Sequence, residues 1–166
     1  MGEQYTDEVM KHFLEPHNVG VIDGPDGVGK VGNPVCGDIM ELQIKVQDGK
    51  IADAKFRTFG CGAAIATSSV LTDLVKDKPL VDALKITNEQ VTQALGGLPA
   101  RKRHCSVLAE EALHSAIKDY RERLQGKIKN GEEPISRCCL DKTCELCKLI
   151  AQRSEELAKK HGTEAE

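Results

Sequence analysis

Apolar residues follow two periods along this chain. From Met40, the residues Met40, Leu42, Ile44 and Val46 alternate with Glu41, Gln43, Lys45 and Gln47, which predicts a half-buried strand. Asp48-Gly49 follows as a tight hairpin turn. Residues 51–59 predict the return strand, with Ala52, Ala54 and Phe56 on one face and Asp53, Lys55 and Arg57 on the other. A two-residue turn there pairs Gln47 with Lys50. Carried to the open end of the hairpin, that register sets Cys36 opposite Cys61, roughly 5 Å apart at Cα. Elsewhere the period is helical. Thr6 N-caps a short helix in which Val9, Met10, Phe13 and Leu14 form an apolar stripe, ended by Pro16. The Gly- and Pro-rich stretch 17–35 predicts loop with one short edge strand. "AAIATSSVLTDLV" predicts a helix just after Cys61, and residues 80–95 predict one or two short helices around Thr87 as N-cap. "GGLP", 96–99, breaks the chain. A long helix then carries Leu108, Ala112, Ala116, Tyr120 and Leu124 at a spacing of four.

Composition narrows the class. A chain of 166 residues with 40% hydrophobic content suits one globular domain with an appended tail, and only three Phe, two Tyr and no Trp make its core aliphatic. The division falls at residues 1–125 for the domain and 126–166 for a polar linker, "GKIKNGEEP", and a cysteine-rich tail that turns into a charged helix to about Lys160. A net charge of −3 and a pI near 6.0 argue against a nucleic-acid surface. No apolar run approaches the roughly 20 residues of a membrane span. "MGEQYTDEV" has no signal-like segment, so the expected location is the cytoplasm. There, seven cysteines point to metal or catalytic chemistry rather than a disulfide framework.

Three of these thiols sit at turns or helix starts. Cys36 lies between Pro34 and Gly37 with Asp38 close behind, and should be exposed. Cys61 precedes a helix, whose dipole favours a thiolate. Cys105 and its neighbour His104 fall at the start of the long helix, next to Arg101, Lys102 and Arg103, a basic setting that also favours a thiolate. Three thiols with Asp38 and His104 form a soft-donor set suited to zinc, copper(I) or an iron–sulfur cluster, with imidazole or carboxylate available as fourth ligand. The alternative is separate buried cysteines with a satisfied histidine. The hairpin register weighs against it.

"GNPVCGD", "FGCGAAIATSS" and "HCSVLAEEAL", together with "HFLEPHNVGVI" near the start, closely resemble in order and spacing the IscU/NifU-type iron–sulfur cluster assembly scaffolds. The resemblance covers about residues 3–125. It implies an α+β fold, a three-stranded antiparallel sheet with helices packed on it, here followed by the helical cysteine-rich tail. It implies a scaffold rather than an enzyme, one that builds a [2Fe–2S] cluster from iron and sulfur and passes it to recipient apoproteins. By position, Cys36, Cys61 and Cys105 fall on the cluster-binding cysteines, Asp38 on the aspartate tied to cluster lability, and His104 on the alternative ligand. A cysteine desulfurase partner is implied as well, with Cys105 expected to accept the persulfide sulfur. Relatives carry an LPPVK-like stretch for an Hsp70-type chaperone. Here it reads "LPARK", and Ala100 and Arg101 argue against chaperone dependence, leaving the run as a solvated loop.

Other classes share some of these features. The same ligands suit a zinc-binding structural protein, and a scaffold site between clusters takes zinc too. "CELC" at 144–147 suggests a thiol oxidoreductase, but without the βαβ context such a motif needs. Cys138, Cys139, Cys144 and Cys147 are expected to form a second metal site or a redox pair that is accessory to the main site, with inert thiols as the remaining reading. The sequence leaves homo-oligomerisation open.

Overall fold

The hairpin forms because its alternating residues meet a continuous apolar layer, and the rest of the chain supplies that layer. The computed structural model describes residues 4–33 and 37–129, together with Lys148, Leu149, Gln152, Glu155, Glu156, Leu157 and Lys159. In chain order the elements are α1 (Asp7–Leu14), β1 (Gly27–Gly32), β2 (Ile39–Gln47), β3 (Lys50–Phe59), α2 (Gly62–Val75), α3 (Leu80–Leu84), α4 (Asn88–Ala94), a 3-10 turn (Ala100–Lys102) and α5 (Arg103–Lys129). The strands form one antiparallel sheet in the order β1-β2-β3, as the resemblance implies.

Met40, Leu42 and Ile44 of β2 and Phe56 of β3 are buried on one face, where they join Val70, Leu71 and Val75 of α2 and Leu108, Ala112, Leu113, Ala116 and Ile117 of α5. Each large side chain so buried contributes ~1.5–3 kcal/mol. The other face is polar. There Gln43 accepts the N–H of Ile22 at 2.8 Å and donates to Glu41 at 2.8 Å, and Lys45 donates to the Gly24 carbonyl. Residues 18–26 therefore cross that face, from a parallel bridge of Val19 with Phe56 to the start of β1.

Asp48 and Gly49 both have positive φ, 53° and 73°, as the predicted tight turn requires. The register departs from the simple extrapolation. Gln47 pairs with Lys50 and Val46 with Ile51, but a bulge then shifts the ladder so that Lys45 pairs with Asp53 and Ile39 with Phe59. The extra residue is Ala52, which is exposed, while Ile51 takes the inward place. β3 ends at Phe59, so Cys61 lies outside the ladder, and the expected Cys36–Cys61 cross-strand pair does not follow from it. Cys36 itself lies outside the described residues.

Thr6 caps α1 by accepting the N–H of Val9, and its hydroxyl donates to the Leu95 carbonyl. The expected apolar stripe is corrected: Val9 is buried and His12 takes an inward position, while Met10 and Phe13 are 37% and 38% exposed and Leu14 is 69% exposed. The helix packs on α2, where the His12 imidazole meets the Ser69 hydroxyl at 2.8 Å and the Phe13 ring lies over Gly62. α2 buries nearly all its sides, and its small residues allow this. Thr67, Ser68 and Thr72 satisfy their hydroxyls on helix carbonyls three or four residues back. Thr87 forms a capping box with Gln90 at the start of α4, as its sequence position predicts.

α5 runs to Lys129, so the first residues of the expected linker continue the helix. β1 lies directly against it. A Cβ at Gly29 would overlap the Ala112 carbonyl oxygen and come within 2.6 Å of the Ala116 nitrogen, and one at Gly27 would overlap the Ala116 carbonyl oxygen. Farther along, Leu149 packs against the main core and Leu157 is buried. Among the described residues, no helix is long and apolar enough to cross a membrane.

Candidate metal centre

Three chain breaks meet at one end of the sheet. The loop before β2 brings Asp38, the turn after β3 brings Cys61, and the first turn of α5 brings His104 and Cys105. The loop closes on itself, with the N–H of Asn33 donating to the Asp38 carbonyl and that of Gly37 to the Asn33 carbonyl, both at 2.8 Å. Asp38 is thereby aimed inward, and its residue is only 5% exposed. Gly60 is what lets it approach, because a Cβ there would stand 2.7 Å from Asp38 Oδ1. Cys61 is the N-cap residue of α2, in extended conformation, with no side-chain capping bond. Its sulfur is left available.

Cys105 Sγ is the hub. It lies 3.8 Å from Cys61 Sγ, 3.7 Å from Asp38 Oδ2 and 3.5 Å from His104 Nε2. His104 Nε2 is in turn 3.6 Å from Asp38 Oδ2. Both cysteines are free thiols. A tetrahedral metal about 2.3 Å from each sulfur spaces its ligands by about 3.8 Å, so these donors already stand near ligand spacing. Donor atoms of Asp38, Cys61 and Cys105 all fall within 4.8 Å of one another. His104 touches two of the three from the rim, with its side chain 25% exposed. Of the nine site residues expected from sequence, the structure thus brings together Asp38, Cys61, His104 and Cys105. Cys36, Cys138, Cys139, Cys144 and Cys147 lie outside the described residues.

The setting of Cys105 differs from expectation. The residue is 1% exposed, among Ala63 and Ala64 with Tyr5 and Leu98 against them. Burial first, then Cys61 and Asp38, push its thiol well above the ordinary range, and Lys102 opposes them only weakly. The basic run does little to activate it: Arg101 and Arg103 are exposed, and of the run only Lys102 lowers the thiol, against the larger effect of burial. Lys102 serves Cys61 instead. The Cys61 sulfur is the largest cause raising the Lys102 ammonium above its usual value. Burial, followed by Cys61, likewise raises the Tyr5 phenol. At rest the pocket holds Cys105 as a neutral thiol, and a bound metal would remove that proton outright.

Sequence reasoning marked Gly60 as a glycine that leaves Cys61 unshielded, but missed that it admits Asp38, and missed Tyr5 altogether. A glycine beside a cysteine carries no signal of which carboxylate it admits, and Tyr5 reaches the pocket only through the packing of α1.

Residues 4–127 match the family described as NifU-like N terminal domain. The iron-sulfur cluster assembly scaffold protein IscU 1 of Archaeoglobus fulgidus is 59% identical over 124 residues, covering 75% of this chain and 80% of that protein. The iron-sulfur cluster assembly scaffold protein IscU of Aquifex aeolicus is 48% identical over 135 residues, covering 80% and 85%. In three dimensions, a nitrogen-fixing NifU-like protein (N-terminal) from Brucella abortus superposes with a TM-score of 0.57 at 17% identity, covering 71% of this chain and 94% of that one, a likeness of fold. The match runs from α1 into the last turns of α5 and takes in every described donor of the centre. The chain belongs to the NifU-like N-terminal domain family.

Proposed function

We propose that this protein is a scaffold on which iron and sulfide are assembled into a [2Fe–2S] cluster, and from which the cluster passes to recipient apoproteins. The observation that carries the proposal is the mixed donor set at one rim: two thiols within 3.8 Å, a carboxylate and an imidazole. A storage site would close its coordination with four thiolates. Here Cys36, Cys61 and Cys105 would hold the cluster, and Asp38 or His104 would supply a weaker fourth ligand that lets it leave. The cluster is cargo, so the protein acts as carrier rather than enzyme.

Sulfur would come from a cysteine desulfurase as persulfide. The Cys105 sulfur attacks the outer persulfide sulfur, the donor's S–S bond breaks, and the donor cysteine departs as thiolate. Asp38 Oδ2 and His104 Nε2 are the bases placed to take the Cys105 proton. Because Cys105 is buried, docking of the donor must first expose it. The support for Cys105 is its central position, not an activated thiolate. The departures at Ala100 and Arg101 still argue against an Hsp70-type chaperone, and the acidic balance against nucleic acid. The cytoplasm is the proposed location. Residues 1–125 would carry the scaffold, and the cysteines of 126–166 an accessory role.

Zinc suits the same donors. Metal content alone therefore does not separate a scaffold from a zinc protein. Anaerobic incubation with ferrous iron, cysteine, a desulfurase and a dithiol reductant, which brings the persulfide sulfur to sulfide, does. Visible absorption and Mössbauer spectra should show a [2Fe–2S] cluster building to about one per protein or per dimer. Iron bound without sulfide would overturn the proposal.

A further inference from the structure

His12, His17 and Asp73 bring one ring nitrogen from each histidine and a carboxylate oxygen within 4.8 Å of one another, far from the thiols. We propose that these three residues form a second metal site, for a divalent first-row cation such as Zn(II) or Fe(II). Two imidazoles and one carboxylate are the donor set of open zinc sites and of non-haem ferrous centres. The donors come from α1, from the loop behind it and from the last turn of α2. Asp73 is twelve residues along α2 from Cys61, about 18 Å at the helical rise, so the triad is not part of the thiol centre.

His12 and Asp73 are already held through their other polar atoms, and His17 through its backbone N–H, as in built metal sites. His12 Nδ1 stands 2.8 Å from Ser69 Oγ, which also accepts the backbone N–H of His17 at 2.8 Å. Asp73 Oδ1 accepts from Asn18 Nδ2 at 3.0 Å, and the same amide reaches Thr72 Oγ1 at 3.0 Å. Asn18 Oδ1 accepts from Lys76 Nζ at 3.1 Å. Metal-binding histidines are commonly fixed in this way through their second nitrogen. The two rings meet edge to face with centroids 4.9 Å apart. A cation about 2.1 Å from each donor spaces nitrogen and oxygen ligands by about 3.4 Å. His17 and Asp73 are exposed and can close that gap, whereas His12 is 7% exposed and serves as the fixed point. On binding, the 2.6 Å hydrogen bond from His17 Nδ1 to Asp73 Oδ2 gives way to two metal–ligand bonds. Its proton passes to solvent, and no electron moves. The fourth position is left to water.

This site does not depend on the scaffold function, and zinc alone probes it. Full-length protein with reduced thiols is titrated with Zn(II), and bound zinc is counted for the wild type, His17→Ala and Asp73→Asn. Histidine ring nitrogen resonances are followed in the wild type. Both substitutions are at exposed positions and leave the buried imidazole in place. Each variant should retain one zinc fewer than the wild type, and the His12 and His17 signals should shift on saturation. The thiolate-to-cobalt absorption of the cysteine centre, read with Co(II), should be unchanged in both variants. Equal zinc content in all three proteins, with unmoved His12 and His17 resonances, would overturn the proposal.

Discussion

Replacing Cys61 or Cys105 by Ser should leave the protein folded and unable to hold a cluster. After anaerobic reconstitution, bound iron and acid-labile sulfide should fall to background in either variant, against about one cluster in the wild type. The reason is geometric. With their sulfurs 3.8 Å apart, these two residues are the only thiols among the described donors of the centre, and a serine hydroxyl offers iron neither the softness nor the acidity of a thiol. Cys36, which the family resemblance adds to the set, should behave alike. Cys61 is only partly buried, so its Ser variant carries little folding cost and controls for the buried substitution at Cys105. The two should differ in one respect. Given desulfurase and cysteine, mass spectrometry should find the added sulfur on Cys61→Ser but not on Cys105→Ser. Persulfide retained by Cys105→Ser would move the acceptor role to another thiol, and normal cluster content in either variant would remove that residue from the ligand set.

The second large effect concerns stability. Gly29→Ala should lower unfolding free energy by about 3 kcal/mol, the upper part of the range for overpacking. The added methyl meets the Ala112 carbonyl and the Ala116 nitrogen of α5, which are backbone atoms and cannot rotate aside. The strand must separate from the helix, opening the core beneath Leu42 and Leu113. Gly24→Ala is not a clean control, since Gly24 has φ of 61°, but Ala52→Ser on the exposed bulge is. Urea denaturation should show a drop in midpoint for Gly29→Ala and almost none for Ala52→Ser. Equal midpoints would mean that β1 does not need its close approach to α5.

These cases show what the chain makes legible. The hairpin could be read because Met40, Leu42 and Ile44 alternate with polar residues and because Asp48-Gly49 suits only a few turns. The bulge at Ala52 could not, since alanine fits either face and the register shift leaves no trace in composition. The stripe on α1 failed because helical periodicity marks a face without saying what it meets. α2 offered it the Ser69 hydroxyl, so His12 went inward, and Phe13 lies over Gly62 at the edge of the contact. At the centre, the motifs named Asp38, Cys61, His104 and Cys105, and the fold brings all four within contact. The burial of the thiol was hidden. Sequence neighbours of a helix start point around its whole circumference, so Arg101 and Arg103 are exposed while Cys105 beside them in the chain is buried. The triad of His12, His17 and Asp73 was equally hidden, because its third member is more than fifty residues away and only the packing of α1 on α2 joins them.

Cluster release gives the most direct measurement. Protein loaded anaerobically with its cluster is mixed with an apo form of a [2Fe–2S] acceptor, and the acceptor's own circular dichroism is followed in time. The wild type should hand its cluster over, with donor signal lost as acceptor signal grows. Asp38→Ala should assemble the cluster but release it about tenfold more slowly, a change of ~1.4 kcal/mol in the barrier, because the weak oxygen ligand through which it leaves is gone and His104 takes the fourth position. A wild-type protein that keeps its cluster in the presence of the acceptor, or an intact Asp38→Ala protein that loses it faster, would contradict a site built for delivery.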